Sequence, residues 1–404
     1  MSAMELDTDI PTVLATLRLE SESEAVMNIL YQLEDFYERK LWHQLTLSLE
    51  EFYYNTPEVD SNLKLKIYKF FINQFANNLN SIKVVDFLLN SFSGSNPQQT
   101  LDELVELKLK FTKNLKKELS LQKQDDSAVE NDESIIYINL HIARYYLLLN
   151  DVSKADEIIE KLSLKFDSNS SNSYGNKVNA AYYFTKYEFY KYKQNYNLYY
   201  SNGLLYLSSV KDLSQQEQIG LCYDLCLATL LGDQIYNFGE LILHKILDSI
   251  KDNEYAWLYN LVHTLNSGNL QEFNKWLAIA YEKAPQLKQS DLFLKQKIMI
   301  MSLLELVSLQ STTNKVLTFK QISDFTGAPL NDVEHLIIKC FSLNLIKGHI
   351  NQIDETLVVS WLQPRILNLD QIKVLYNHLT HWDQQVDKLA KEVYTNGGSI
   401  WAGV

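Results

Sequence analysis

Apolar positions along this chain recur mostly at the three- and four-residue spacings of amphipathic helices, and only briefly at the two-residue spacing of strands. Ile29, Leu33, Phe36 and Tyr37, then Leu45, Leu49 and Phe52, open the series, so residues 1 to about 120 read as helices separated by short polar breaks. Ser93–Thr100 (SGSNPQQT) is a turn cluster carrying Gly94 and Pro97. Gln122–Glu133 (QKQDDSAVENDE) has hardly an apolar side chain to bury and reads as a solvated loop. Asp167–Asn176 (DSNSSNSYGN) is a further break, rich in Ser and Asn. Turn dipeptides then fall at Asn150-Asp151, Gln194-Asn195, Gly232-Asp233 and Gly268-Asn269, 36 to 44 residues apart. Each stands between two apolar helical runs, as Ala143–Leu149 and Ala155–Leu162 do around the first. That period marks stacked helical hairpins of the tetratricopeptide or HEAT kind, although no repeat fits a consensus. One hairpin cannot cover its own apolar face, so it leans on the next.

The period changes after residue 290. Asp291–Leu309 predicts one long helix with Leu292, Leu294, Ile298, Met301 and Leu304 on its apolar face. Lys315–Phe319 is a short β-prone run, and Gln321–Phe325 a brief helix that stops at Gly327 and Pro329. Asn331 is placed as the N-cap of the next helix, with Glu334 as its capping-box partner. That helix is expected to bury Val333, Leu336, Ile337, Cys340 and Leu343. Ile346–Gln352 and Thr356–Leu362 read as paired strands around Ile353-Asp354-Glu355. Strand, helix, helix, hairpin is the order of a winged helix.

Beyond it, Ile372, Leu375, Leu379, Trp382, Val386, Leu389 and Val393 are spaced 3-4-3-4-3-4. This heptad keeps one narrow apolar seam facing a partner helix, whereas a helix packed on a globular core drifts toward 3.6. Lys373, His378, Asp383, Gln384, Lys388 and Lys391 make the remaining face polar. The seam is therefore the candidate partner-binding site, used between subunits. The fold class is mainly α: a helical-hairpin solenoid over residues 1–290, a winged helix over 291–364, and a coiled-coil helix with a tail over 365–404.

Composition sharpens this picture. Gly 12 and Pro 6 stand far below the roughly 28 and 20 of average usage, which suits helices. A net charge of −13 argues against nucleic acid or anionic membrane as general partners. Cys222 and Cys226, four apart in an apolar run, and Cys340 on another apolar face read as buried reduced thiols rather than a disulfide framework. No signal-peptide pattern and no apolar run near twenty residues is present, so a soluble intracellular chain is expected.

Candidate chemistry is sparse. The second helix of a DNA-reading winged helix crowds Arg, Lys, Asn and Gln on its outer face. Here that face shows Asp332, His335, Lys339 and Ser342, and the hairpin turn carries Asp354 and Glu355. A protein neighbour, paired along a sheet edge, fits better. Tyr182, Tyr183, Tyr187, Tyr190, Tyr192, Tyr196, Tyr199 and Tyr200 interleave with Lys186, Lys191 and Lys193. Such a mixture can stack single-stranded nucleic acid, but tyrosines at helical spacing fill grooves between helices, hydroxyls outward. His378 and His381 lack further metal ligands at a workable spacing and are expected to flank Trp382. No HExxH, Gly-rich nucleotide loop, GxSxG or CxxC occurs. No catalytic, cofactor or metal site is expected.

Helical repeats, winged helix and coiled-coil tail together resemble PCI-domain proteins, scaffold subunits of the proteasome lid, the COP9 signalosome and a translation initiation factor. YNFGEL (Tyr236–Leu241), LWHQL (Leu41–Leu45), FLKQKI (Phe293–Ile298), DVEHL (Asp332–Leu336), WLQPRI (Trp361–Ile366) and SIW (Ser399–Trp401) are similar to one group of lid subunits of the 26S proteasome regulatory particle. Its fungal members are non-ATPase subunit nine and its animal members non-ATPase subunit thirteen. The similarity covers nearly the whole chain; the acidic segment at 122–133 and the residues after Trp401 depart from it. It implies a non-catalytic scaffold, supporting ubiquitin-dependent degradation in cytoplasm and nucleus. The winged helix would pair with a PCI neighbour, and the last helix would join a bundle of the other lid subunits' tails. The N-terminal repeats would lie near ubiquitin-receptor and deubiquitinase modules. The lid's metalloprotease chemistry belongs to another subunit, whose His-x-His pattern this chain lacks. The alternative is a PCI-type adaptor associated with nucleic acid, as in mRNA export complexes.

Overall fold

The computed structural model describes residues 10–20, 23–56, 59–94, 96–122, 127–168, 174–210, 213–310, 316–364 and 369–397. They form two compact units, Met1–Asp212 and Leu213–Val404. The first is helical throughout its described residues, and neighbours in sequence pack as pairs: Glu24–Glu38 with Trp42–Glu50, Glu133–Leu148 with Val152–Ser168, and Asn176–Tyr192 with Tyr196–Ser209. Glu133–Leu148 also packs against Pro97–Gln122 and Asn176–Tyr192, so one large core runs through successive hairpins, with a second cluster of Ala143, Leu147, Ala155, Ile159 and Phe189 beside it. Leu14, Leu30, Leu33, Leu45, Leu49 and Phe52 are fully buried in it.

One turn geometry joins most of these hairpins. Lys40, Asn150, Gln194 and Gly268 all adopt the left-handed conformation (φ 56, 62, 55 and 66°). In each, the following N–H donates five residues back: Leu41 to Phe36, Asp151 to Tyr146, Asn195 to Tyr190 and Asn269 to Thr264, over 2.9 to 3.3 Å. This is the Schellman closure, which satisfies orphan carbonyls at a helix end. Asn195 and Asn269 then accept from Leu198 and Glu272 N–H, so one residue closes a helix and caps the next. Gly232 breaks the series. Its φ of −71° is extended, and a loop, a single short helix (Gly239–Leu243) and a 3₁₀ stretch (Lys245–Ile250) follow. The expected apolar helix is absent there.

The segment Gln122–Glu133 is not simply a solvated loop. Residues 123–126 lie outside the described residues, but Ser127–Glu130 is helical and Val129 is buried. One valine among polar residues suffices, because it points into a groove between longer helices.

In the second unit Asp291–Leu309 packs against Ala256–Ser267 and Phe319–Thr326. It buries Leu294, Ile298, Met301 and Leu304 as expected, whereas Leu292 is 78% exposed. Two polar positions on its buried face that the apolar pattern passes over are Lys297 and Ser302, both fully buried. Gly268 abuts this helix: a Cβ there would sit 3.0 Å from Ser302 Cα, so its side-chain space is taken as well as its φ.

The winged helix follows. Strands β1 (Val316–Thr318), β2 (Ile346–Asn351) and β3 (Thr356–Leu362) form an antiparallel sheet ordered β1-β3-β2, with Leu357 opposite both Leu317 and Ile350. At Gly348 the strand bulges, and a Cβ would lie 2.1 Å from the Val358 carbonyl oxygen, so only glycine fits. The helices between are Phe319–Thr326 and Leu330–Ser342. The latter starts one residue before the expected cap, after Pro329, and no side chain caps it. Pro329 presets the entry, and Glu334 instead accepts from the Gln352 side chain at 3.3 Å. The capping box lies one helix earlier, between Thr318 and Gln321. Val333, Ile337 and Cys340 are buried, while Leu336 and Leu343 are half-buried. The last helix, Leu369–Gly397, is continuous for 29 residues.

Candidate protein-binding surfaces

The heptad seam lies in that helix with every member open to solvent. Ile372, Leu375, Leu379, Trp382, Val386, Leu389 and Val393 stand between 46% and 64% exposed. Seven large apolar side chains in line on water are costly, at about 25 cal/mol per Å² left uncovered. Val374, Tyr376 and Tyr394 are exposed beside them. The heptad count passes over these three because they fall between the seam positions, yet they widen the apolar arc at both ends. His378 and His381 are exposed on the same helix, and His381 Nε2 lies 3.0 Å from the Gln385 amide.

The winged helix offers two more surfaces. Strand β2 is an outer strand of the sheet, so one side of its backbone is unpaired. The hairpin tip carries Ile353, 94% exposed, beside Asp354 and Glu355. On the Leu330–Ser342 helix Asp332, His335, Lys339 and Ser342 face solvent as expected. Leu330 and Ile338 are exposed on the same helix, which leaves its open surface partly apolar and mixed in charge rather than basic.

The tyrosine–lysine run is packing. Tyr182 stacks on Phe166 at 3.8 Å, and Tyr187 stacks on Tyr199 at 4.6 Å. The hydroxyls do not all point outward, contrary to expectation. Tyr199 donates to Tyr187 in the interior, and the Tyr182 and Tyr200 hydroxyls are buried too. Lysines serve the same packing: Lys186 Nζ sits 4.6 Å over the Tyr182 ring, and Lys193 pairs with Asp156 at 2.8 Å. Cations spent on internal rings and carboxylates leave little for a phosphate backbone.

Beneath the winged helix in sequence, Lys297 holds a site that periodicity does not reveal. Its Nζ donates to the carbonyls of Thr229, at 2.6 Å, and Gly232, at the end of the Gln215–Leu231 helix. Tyr236, Phe238 and Phe293 surround it at 5.4 to 5.6 Å. Burial pulls this ammonium down to about 7, against the pull of Asp233. The lysine thus ties an irregular segment to the long helix. Cys222, Cys226 and Cys340 are all buried free thiols; burial pushes Cys340 up to about 12. Among the described residues no group of three or more His, Cys, Asp or Glu is placed to hold a metal ion. No described helix is long and apolar enough to cross a membrane.

Residues 29–262 match the family of PSD13 N-terminal repeats, and residues 281–361 match the PCI domain. The 26S proteasome regulatory subunit RPN9 of Saccharomyces cerevisiae is 36% identical over 399 residues, which span 97% of this chain and 98% of the yeast protein. The probable 26S proteasome regulatory subunit rpn9 of Schizosaccharomyces pombe is 34% identical over 91% of this chain and 92% of its own length. The 26S proteasome non-ATPase regulatory subunit 13 homolog B of Arabidopsis thaliana is 32% identical over 88% and 90%. This chain belongs to the RPN9/non-ATPase subunit 13 family of 26S proteasome regulatory subunits.

The structure gives the quoted strings a physical meaning. Two of them, YNFGEL and FLKQKI, meet at one place: Tyr236 and Phe238 from the first, Phe293 and Lys297 from the second, form the lysine cage. LWHQL places Trp42 against Tyr37 and Phe75, at 6.1 and 5.7 Å between ring centroids. DVEHL starts the buried face of the winged-helix helix with Val333. In WLQPRI the Trp361 ring lies 4.9 Å from Lys347 Nζ, while Arg365 and Ile366, like all of SIW, lie outside the described residues. The quoted strings therefore mostly hold the fold together.

Proposed function

We propose that this chain is a non-catalytic scaffold of the 26S proteasome lid, supporting ubiquitin-dependent protein degradation in cytoplasm and nucleus. Near end-to-end similarity to proteasome regulatory subunits carries this reading. The C-terminal seam, from Ile372 to Val393, is its site for the helical tails of other lid subunits. Its arc is broader than a two-stranded seam needs, since Val374 and Tyr376 flank Leu375. A helix with so wide an apolar face touches more than one neighbour, as in a bundle. The winged helix serves a PCI neighbour through the β2 edge and the exposed Leu330 and Ile338 of its second helix. Ubiquitin-receptor and deubiquitinase subunits are the partners suggested for the N-terminal repeats. The domain limits adopted are 1–290, 291–364 and 365–404.

Native mass spectrometry of the tagged chain from its own cells tests this. Lid subunits should co-purify in one-to-one ratio and be lost when the helix from Leu369 onward is removed. Recovery as a free monomer, or with RNA and export factors, would overturn the assignment.

A further inference from the structure

The open seam of the last helix has a chemistry that fits a second copy of itself. Its heptad alternates one row, Ile372, Leu379, Val386 and Val393, with another, Leu375, Trp382 and Leu389. Two such helices laid antiparallel set members of the first row opposite members of the second. With the two-fold axis between Leu379 and Trp382, Ile372 meets Leu389, Leu375 meets Val386, and Leu379 meets Trp382. Symmetry repeats each contact, so the layers are apolar throughout and the bulky indole packs against a leucine. In a parallel pair both indoles would crowd into one layer.

Side chains flanking the seam fix the register. In this arrangement Tyr376 of one copy lies beside Asp383 of the other, and His378 beside Gln385; all four are exposed in the single chain. A phenol hydroxyl donates to a carboxylate, and an imidazole N–H donates to an amide oxygen, so both contacts are hydrogen bonds. The Gln385 amide nitrogen lies 3.0 Å from His381 in its own helix, which leaves the amide oxygen to accept. Sliding one copy by a heptad, so that Trp382 meets Val386, would instead set Asp383 against Asp383 of the other copy, where like charges repel. The body of the chain favours the same orientation. Strand β3 ends at Leu362 and the helix begins at Leu369, so the folded body is tied close to the N-terminal end of the seam. Parallel pairing would bring two bodies to that one end, whereas antiparallel pairing sets them at opposite ends.

We propose that the free chain pairs with a second copy through this helix, as an antiparallel two-helix coiled coil centred on Leu379 and Trp382. The pair covers the seam assigned above to lid tails. Val374 and Tyr394 stay open in it, so a bundle that covers them as well displaces the second copy. Only that displacement rests on the lid reading; the pairing itself needs nothing but the chain. The seam runs for about three heptads, a short coiled coil, so dilute chain is monomeric and concentrated chain pairs.

Sedimentation equilibrium of the purified full chain across a range of concentrations tests this. The mass should rise from one chain to two and stop there, with half the chain paired at or below roughly 100 µM. Leu379→Asp should weaken pairing at least about tenfold. Should that variant lose helical signal by circular dichroism, Leu379→Ala should show the same loss at smaller size. Orientation is read with cysteines and oxidised glutathione, which takes up the electrons and protons of two thiols as they join. Ile372→Cys with Leu389→Cys should give a covalent dimer, and Ile372→Cys alone should not. Within one chain these two positions stand about 26 Å apart along the helix, beyond the reach of a disulfide. A chain monomeric throughout, undiminished pairing in Leu379→Asp, a mass beyond two chains, or cross-linking of Ile372→Cys alone would each overturn the proposal. None of these outcomes bears on the lid reading, because no lid subunit is present in the measurement; that reading fails on co-purification instead.

Discussion

At the residue scale, two buried bases shape how stability depends on pH. Lys297 has a native pKa of about 7 against 10.5 in water. Between those values the unfolded chain binds a proton that the native chain refuses, so stability rises with pH across 7 to 10.5. The neutral amine keeps two N–H groups, enough for the Thr229 and Gly232 carbonyls. His141 acts in the same direction lower down. Its buried ring, edge-on to Tyr137 at 4.6 Å, is held at about 3 by burial and by Arg144, against 6.5 in water. Its contribution is complete above 6.5 and is lost as pH falls toward 3. Urea denaturation of Lys297→Met should therefore lose the upward slope of stability between pH 7 and 9.5. Likewise His141→Leu should lose less stability than the parent chain between pH 6.5 and 4.5. An unchanged slope in either variant would show that the residue keeps its solution pKa in the fold.

At the element scale, the left-handed helix ends explain both what sequence shows and what it hides. Asn150, Gln194 and Gly268 occupy turns recognisable from their dipeptides, because Asn and Gly tolerate positive φ and Asn caps the next helix. Lys40 makes the same closure with no sequence signal at all: the helix pair around it imposes the geometry on an ordinary side chain. Non-glycine residues pay a steric cost there, so Gln194→Gly should stabilise the chain by about 0.5–1 kcal/mol, and Gln194→Val should weaken it. Shifts of the urea midpoint in the opposite order would mean that the turn is not left-handed in solution. Periodicity likewise finds the winged helix, whose alternation and turn residues are local. It misses the Lys297 cage because a lysine on an apolar face breaks the pattern, and only residues 65 and 68 positions away explain it. The seam is legible at Ile372 to Val393, while its widening by Val374, Tyr376 and Tyr394 becomes visible only once exposure is known.

At the scale of the whole molecule, the question is where stability ends and assembly begins. The helical repeats and winged helix bury most of their apolar side chains within their own units, and the Leu369–Gly397 helix leaves its whole seam open. A substitution on an open seam removes no packing from the chain itself, and surface changes of that kind shift stability by about 0.5 kcal/mol or less. Leu379→Asp with Trp382→Asp should therefore leave the circular dichroism and the urea midpoint of the isolated chain nearly unchanged. The same pair places two carboxylates in the middle of any bundle this helix joins. Burying them unpaired costs several kcal/mol, enough to empty the complex. Co-purification with other proteasome subunits should be lost while the fold persists. Collapse of the helical signal would instead assign the seam to the chain's own core, and retained assembly would move the binding energy to the winged helix. Separating these outcomes needs both measurements on one variant, since each alone reads only one side of the boundary between fold and partner.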